Sequence, residues 1–325
     1  MRSIIRRAGI PTLAHHLWRR PRQALGRLIA AGGPLAVYRT ERGRREMEAA
    51  ARELPSLPAT GTESPVTLHL LTGRNFWYQT AFCLWSFARQ SGRLIHPVLY
   101  DDGTLDPSCR ERLARIFPAV NFVDAADTID RLNAHLPLAR FPALRDRWLH
   151  YPNIRKLIDP HLTESGWKLV TDSDLLFFRP PTLLLDWAAR PERPFHAVDC
   201  ETSYGYSRAL MTSLAGGPIA ERVNVGLIGL DSSRLDWDRL ESWCQTLLTR
   251  EGPNYYLEQA LVAMLLVRTE CVVAPAGDYV TLPEPPEAIA CRAVMHHYVA
   301  HSKRWYFQSS WRKVLAGARQ SPALP

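Results

Sequence analysis

Two carboxylates one residue apart, Asp172 and Asp174, interrupt a strongly apolar run: residues Trp167 to Pro181 read WKLVTDSDLLFFRPP. Leu169 and Val170 lead into them, Leu175 to Phe178 follow, and Pro180 with Pro181 cannot continue a ladder. Acids therefore stand where a buried strand opens. At the carboxyl end of a strand in an open α/β sheet, two oxygen ligands at this spacing can hold a divalent cation against a diphosphate. A short Asp-x-Asp also arises by chance, and the chain contains its own control. Asp236-Trp237-Asp238 has the same spacing but follows Ser232 and Ser233 and opens a helical pattern, so it is expected to cap and charge a helix N-terminus. The competing reading of Asp172 and Asp174, a solvated turn, fits poorly with such apolar flanks.

The elements that would position these acids alternate. Val66 to Leu71 is a largely apolar run, Phe76 to Gln90 has helical spacing, and Leu94 to Tyr100 is a second strand ending in Asp101-Asp102-Gly103. Asp106-Pro107 opens a helix through Phe117, with Asp as cap and Pro in the first turn. Residues 125 to 165 are expected to be mainly helical, with Gly166 ending them before the strand that carries the acids. Val223 to Leu230 is another buried strand, a helix follows from about Trp237, and Tyr255 to Ala260 opens a helix that becomes wholly apolar. The last strand, Ala293 to Val299, contains His296 and His297 and leads into Lys303. The alternation predicts an α/β fold with helices on both faces of the sheet.

The remainder of the chain sets limits. Its 325 residues at 46% apolar content can bury a substantial core. No run of 18 or more uncharged apolar residues exists, so no membrane-spanning helix is expected. Six cysteines lie far apart without a Cys-x-x-Cys pair and read as reduced, mostly buried thiols of a cytoplasmic protein. The net charge of +8 belongs entirely to residues 1–60, which hold twelve Arg and four Glu. There, basic pairs alternate with Ile4, Ile5, Leu13, Leu17, Trp18, Leu25, Leu28 and Ile29, as in amphipathic segments that meet an anionic membrane surface. A loose tail and a targeting peptide are the other readings of this stretch. Two parts are expected: a basic amphipathic extension over 1–60 and a globular domain over 61–325, joined through a Pro- and Gly-bearing linker at 55–65. The globular part is neutral, which argues against nucleic-acid binding. Only four of 40 basic residues are Lys, a bias that suggests a GC-rich bacterial genome.

Taken in order, five marks resemble the GT-A glycosyltransferases, and more narrowly the retaining glycosyltransferase family 8. Thr72-Gly73-Arg74-Asn75 follows the first strand and Asp102-Gly103 the second; Asp172-Ser173-Asp174, Asn224-Val225-Gly226 and Glu258-Gln259 come next. The closing segment, His297-Tyr298-Val299-Ala300-His301-Ser302-Lys303-Arg304-Trp305, matches the family's His, aromatic, Lys and Trp, with Ala300 in place of Gly and Arg304 in place of Pro. The resemblance covers about residues 66 to 310. It implies a GT-A fold, a Rossmann-like central mostly parallel sheet flanked by helices, and a nucleoside-diphosphate-sugar donor, expected to be a UDP-sugar.

The resemblance also implies that His297 is the third metal ligand, although His296 and His301 remain alternatives, and that Lys303 contacts the diphosphate. Such a cation and lysine would stabilise charge growing on the leaving group. Two carboxylates with an imidazole suit Mn²⁺ better than Mg²⁺. Asp102 is expected at the base or ribose, Thr72 with Tyr78 at the base pocket, and Arg155 with Lys156 at phosphate. Asn224, polar within an apolar strand, would face a sugar. Glu258 and Gln259 would lie near the anomeric carbon, stabilising an oxocarbenium-like state or acting as nucleophile.

The expected activity is transfer of a sugar to a glycan, glycolipid or protein acceptor with retention, at a cytoplasmic location or peripherally on the inner face of the membrane. The alternatives are an inverting enzyme with Glu258 as base and a sugar nucleotidyltransferase. The second would normally show a Gly-rich phosphate loop, whereas Thr72 to Phe76 holds one glycine.

Overall fold

Strand-like apolar runs and helix-period segments alternate along the chain, and the computed structural model, which describes residues 32–58, 64–162 and 165–320, folds them into two sheets. The strands are β1 Val66–Thr72, β2 Ile95–Asp101, β3 Asn121–Val123, β4 Trp167–Thr171, β5 Leu175–Phe177, β6 Phe195–Val198, β7 Val223–Asp231, β8 Val272–Val273, β9 Tyr279–Thr281 and β10 Met295–His297. The large sheet has seven strands in the order β3-β2-β1-β4-β7-β6-β8. Only β7 runs against its neighbours β4 and β6; the other pairings are parallel. A small three-stranded sheet, β5-β10-β9, stands beside it.

Alternation along β4 explains the layers. Leu169 joins one buried core with the helix Trp77–Ser91, while Val170 joins a second core with the helices Trp237–Glu251 and Leu257–Leu265. Helices therefore cover both faces, as the sequence pattern requires. Turn chemistry sets the boundaries. Gly166 adopts φ 94° before β4, and Asp106 accepts from the Cys109 amide at 2.9 Å to start the helix Pro107–Ile116. Asp236 caps the helix Trp237–Glu251 through the Arg239 amide at 3.0 Å, and Asp238 pairs with Arg140, so the second Asp-x-Asp is a capping pair.

Part of the stretch expected as an extension, Pro34–Ala51, is an 18-residue helix packed on the domain. Gly43, Met47 and Ala51 are buried, and Gly43 lies against Phe307, where a Cβ would come within 2.1 Å of the carbonyl oxygen. Residues 1–31, with the rest of the basic pattern, lie outside the described residues, as do residues 59–63 of the expected linker. Among the described residues no helix is long and apolar enough to cross a membrane. All six cysteines are free, three of them buried.

Candidate metal centre

The chain leaves β4 at Thr171, turns through Asp172-Ser173-Asp174 and re-enters extended structure as β5, now in the small sheet. There β10 pairs antiparallel with β5, with His297 opposite Leu175. The Tyr298 amide donates to the Asp174 carbonyl at 3.0 Å, which fixes the register. Two segments more than 120 residues apart thus meet at one point. His297 Nε2 lies 3.5 Å from Asp172 Oδ2 and 3.3 Å from Asp174 Oδ1, and one ligand atom from each of the three residues lies within 4.8 Å of the others.

The donor set fits a divalent cation. Asp174 Oδ1 and His297 Nε2 are both buried without a hydrogen-bond partner, an arrangement that costs free energy unless something sits between them. The tautomer is also prepared. His297 Nδ1 lies 3.2 Å from Asn224 Oδ1, so its proton is kept there and Nε2 is the nitrogen that can give up its proton to a cation. The same oxygen accepts from the Gly226 amide at 2.9 Å. Gly226 itself gives the ring room, since a Cβ there would lie 2.2 Å from His297 Cε1. The Asn-Val-Gly run is therefore the seat of the histidine: Asn224 orients the ring and Gly226 makes way for it. Of the alternative ligands, His296 is taken by Tyr298 and Glu287, and His301 is exposed.

Charge is arranged around this point in a chain. Lys156 Nζ lies 2.7 Å from Asp172 Oδ1 and 3.2 Å from Glu258 Oε2, while Lys303 Nζ lies 3.0 Å from Asp174 Oδ2. Burial opposes ionisation of Asp172 and Asp174, yet Lys156 beside the first and His297 with Lys303 beside the second hold both below the usual carboxylate range. Burial likewise disfavours charge on His297, but Asp174 and Asp172 overcome it and push the ring up to about 9. Glu258 differs: burial raises it to about 8, against the pull of Lys156 and with the push of Asp172.

Lys303 is placed by a strained turn. Ala300, at the position where the family pattern has Gly, takes φ 45°, so the left-handed conformation is kept without glycine. Arg304, in place of Pro, lays its guanidinium over the Trp305 ring at 4.5 Å.

The other expected site residues divide. Thr72 and Asp102 stand at the carboxyl ends of β1 and β2, where the Asp102 amide donates to the Thr72 carbonyl at 2.9 Å. Gly73 lets the Asp102 carboxylate approach, since a Cβ would lie 2.1 Å from it. Tyr78 is buried, and Arg44 of the helix Pro34–Ala51 lies beside its hydroxyl. Arg155 is buried in an internal cluster: it donates to Asp159 at 3.1 Å and to the Asp101 carbonyl at 2.7 Å, and stacks on Trp148. Lys156, its neighbour, takes the place beside Asp172.

Gln259 donates to Asp199 Oδ2 at 2.9 Å and to the Ser203 carbonyl at 3.1 Å. Sequence reasoning passed over Asp199, although it repeats the signal of Asp172, an acid directly after an apolar strand.

No protein-family model matches the chain, and no curated protein sequence matches it. Solved structures do. The galactosyltransferase LgtC, in complex with donor and acceptor sugar analogues, superposes with a TM-score of 0.50 at 11% identity, over 77% of this chain and 95% of that one. Mouse xyloside xylosyltransferase 1 gives 0.47 at 15% identity over 72% and 97%, and the bifunctional glycosyltransferase WbbM gives 0.49 at 10% over 80% and 53%. The likeness to the first shows a shared architecture: the chain has the GT-A fold, in line with the resemblance its sequence motifs bear to the family 8 glycosyltransferases.

Proposed function

We propose that the chain is a metal-dependent glycosyltransferase that moves a sugar from a UDP-sugar to a glycan, glycolipid or protein acceptor with retention. The observation that carries this reading is the convergence of Asp172, Asp174 and His297, with two buried polar atoms left unsatisfied between them. A bound Mn²⁺ would neutralise charge on the diphosphate as the glycosidic bond breaks.

The chain's own groups complete the task. Lys303, 41% exposed at its side chain, is free to exchange its contact with Asp174 for a phosphate oxygen. Lys156 bridges Asp172 and Glu258, which keeps these two acids from repelling one another. Thr72 and Asp102, at the neighbouring strand ends, would contact the nucleoside, and Gln259 with Asp199 the sugar.

Glu258 is 3% exposed and held by Lys156. An enclosed carboxyl already held by Lys156 is poorly placed to take a proton from an acceptor arriving through solvent, which favours retention over the inverting reading. The proposed setting is cytoplasmic, with peripheral contact to the inner face of the membrane.

Screening UDP- and GDP-sugars for slow hydrolysis without acceptor tests the proposal. One or a few UDP-sugars should be hydrolysed in the presence of Mn²⁺ and none after chelation. Turnover of no sugar nucleotide, or turnover indifferent to metal, would count against it.

A further inference from the structure

Residues 252–256 join the helix Trp237–Glu251 to the helix Leu257–Leu265, which carries Glu258 and Gln259. Their backbone is fastened from several sides. Asn254 Nδ2 donates to the Gly205 carbonyl at 2.9 Å, and Asn254 Oδ1 accepts from the Tyr256 amide at 3.0 Å. Gly205, at φ 70°, lies so close that a Cβ there would be 2.0 Å from Asn254 Oδ1. The Tyr151 hydroxyl donates to the Tyr255 carbonyl. Yet the Tyr255 side chain is 71% exposed, more than any other large apolar side chain among the described residues. The Tyr256 ring meets it edge to face, with 5.3 Å between centroids and 87° between planes, and so steadies the plane of the exposed ring. An aromatic side chain held out into water by a fixed backbone has lost most of its freedom before a ligand arrives.

The strand order says which part of a ligand this ring would meet. β2 and β1 end at the groups proposed for the nucleoside, β4 ends at the metal acids, and β6 lies beyond β7 with Asp199 at its end. Gln259 is bonded to Asp199 and to the Ser203 carbonyl, and Asn254 to Gly205. The loop is therefore clamped to the chain leaving β6, across the metal centre from β1 and β2. On its inner side the Tyr255 phenol lies close enough to act on the Lys303 ammonium, which itself sits 3.0 Å from Asp174 Oδ2. Tyr255 thus stands beside the reacting end of the site and away from the base. A pyranose ring presents a face of polarised C–H groups, which suits the negative face of an aromatic ring. A serine or threonine side chain presents no such face.

We propose that Tyr255 is the stacking platform for the sugar ring of the acceptor, so that the accepting hydroxyl belongs to a saccharide and not to a protein side chain. This rests on the glycosyltransferase reading above and narrows its acceptor class.

The test follows UDP release from the sugar nucleotide that the protein hydrolyses, with methyl glycosides, lactose and maltose as one set of acceptors and serine- and threonine-containing peptides as the other. Members of the saccharide set should accelerate release, and the peptides should not. Y255A should raise the acceptor KM at least about tenfold with kcat within about twofold of wild type, whereas Y255F, which keeps the ring, should hold KM within about threefold. Y38A, at a tyrosine 63% exposed elsewhere on the surface, should leave KM as it is. An unchanged KM in Y255A, a loss in Y255F equal to that in Y255A, or acceleration by the peptides alone or by neither set overturns the platform. Calorimetry of UDP with Mn²⁺ on the wild type separates the two readings. Metal-dependent UDP binding without a saccharide response would remove the platform alone, whereas no UDP binding would remove the glycosyltransferase reading with it.

Discussion

His297 shows how much chemistry one side chain can be made to carry. Its ring needs Asn224 for its tautomer, Gly226 for its space and two acids for its purpose. Asn224→Ala should therefore weaken Mn²⁺ binding about 10–100-fold, the usual cost of losing a partner behind a metal ligand, as measured by titration calorimetry. Asp174→Asn should cut turnover at least about a hundredfold while Tm moves by no more than about 4 °C.

Metal must displace a proton from a ring held at about 9, so apparent metal affinity should rise by up to about tenfold per pH unit as pH climbs towards 9, with proton release visible in buffers of different ionisation enthalpy. The ring's folded value lies above its ordinary 6.5, so its stabilising contribution is complete below 6.5 and is lost as pH rises through 9. Glu258, raised from 4.5 to about 8, loses stability in the same direction between those values. The metal-free Tm should fall from pH 6.5 to 9, and Mn²⁺ should flatten that fall. The metal ligands were legible because their residue types and order are themselves the signal. Asn224 stood out as polar in an apolar strand, but the partner that explains it lies 73 residues away, which no local pattern encodes.

Among elements, the small sheet is the decisive device. β5 is three residues long, too short to be separated by pattern from the strand before it, and its pairing with β10 follows from tertiary packing alone. That is why the sequence showed an interrupted apolar run there but not the change of sheets. Helices and their caps were easier, because Asp106-Pro107, Gly166 and Asp236 act through neighbouring residues.

The helix Pro34–Ala51 was hidden by its composition: a charged, weakly apolar segment read as extension because its buried face is built from Ala, Thr and Gly. Gly43→Ala should cost about 1–3 kcal/mol by forcing the helix off the Phe307 backbone, seen as a Tm drop of several degrees together with weaker UDP binding through displaced Lys303. Ala300→Gly should behave in reverse of the usual rule. With φ already left-handed, the change relieves strain of about 1 kcal/mol, so Tm should hold or rise.

For the molecule as a whole, composition and alternation of elements foretold an α/β sheet covered on both faces. The fold gathers strand ends from β1, β2 and β4 on one edge and brings the C-terminal histidine and lysine to the same edge. Under the proposed function, a ligand that spans nucleoside, diphosphate and sugar would give each of those groups a contact.

The most direct measurement is calorimetry of UDP binding with and without Mn²⁺. Binding should require the metal, weaken at least about tenfold on chelation, and lose its metal dependence in Asp174→Asn. Unchanged UDP affinity after chelation would contradict a cation held jointly by Asp172, Asp174 and His297.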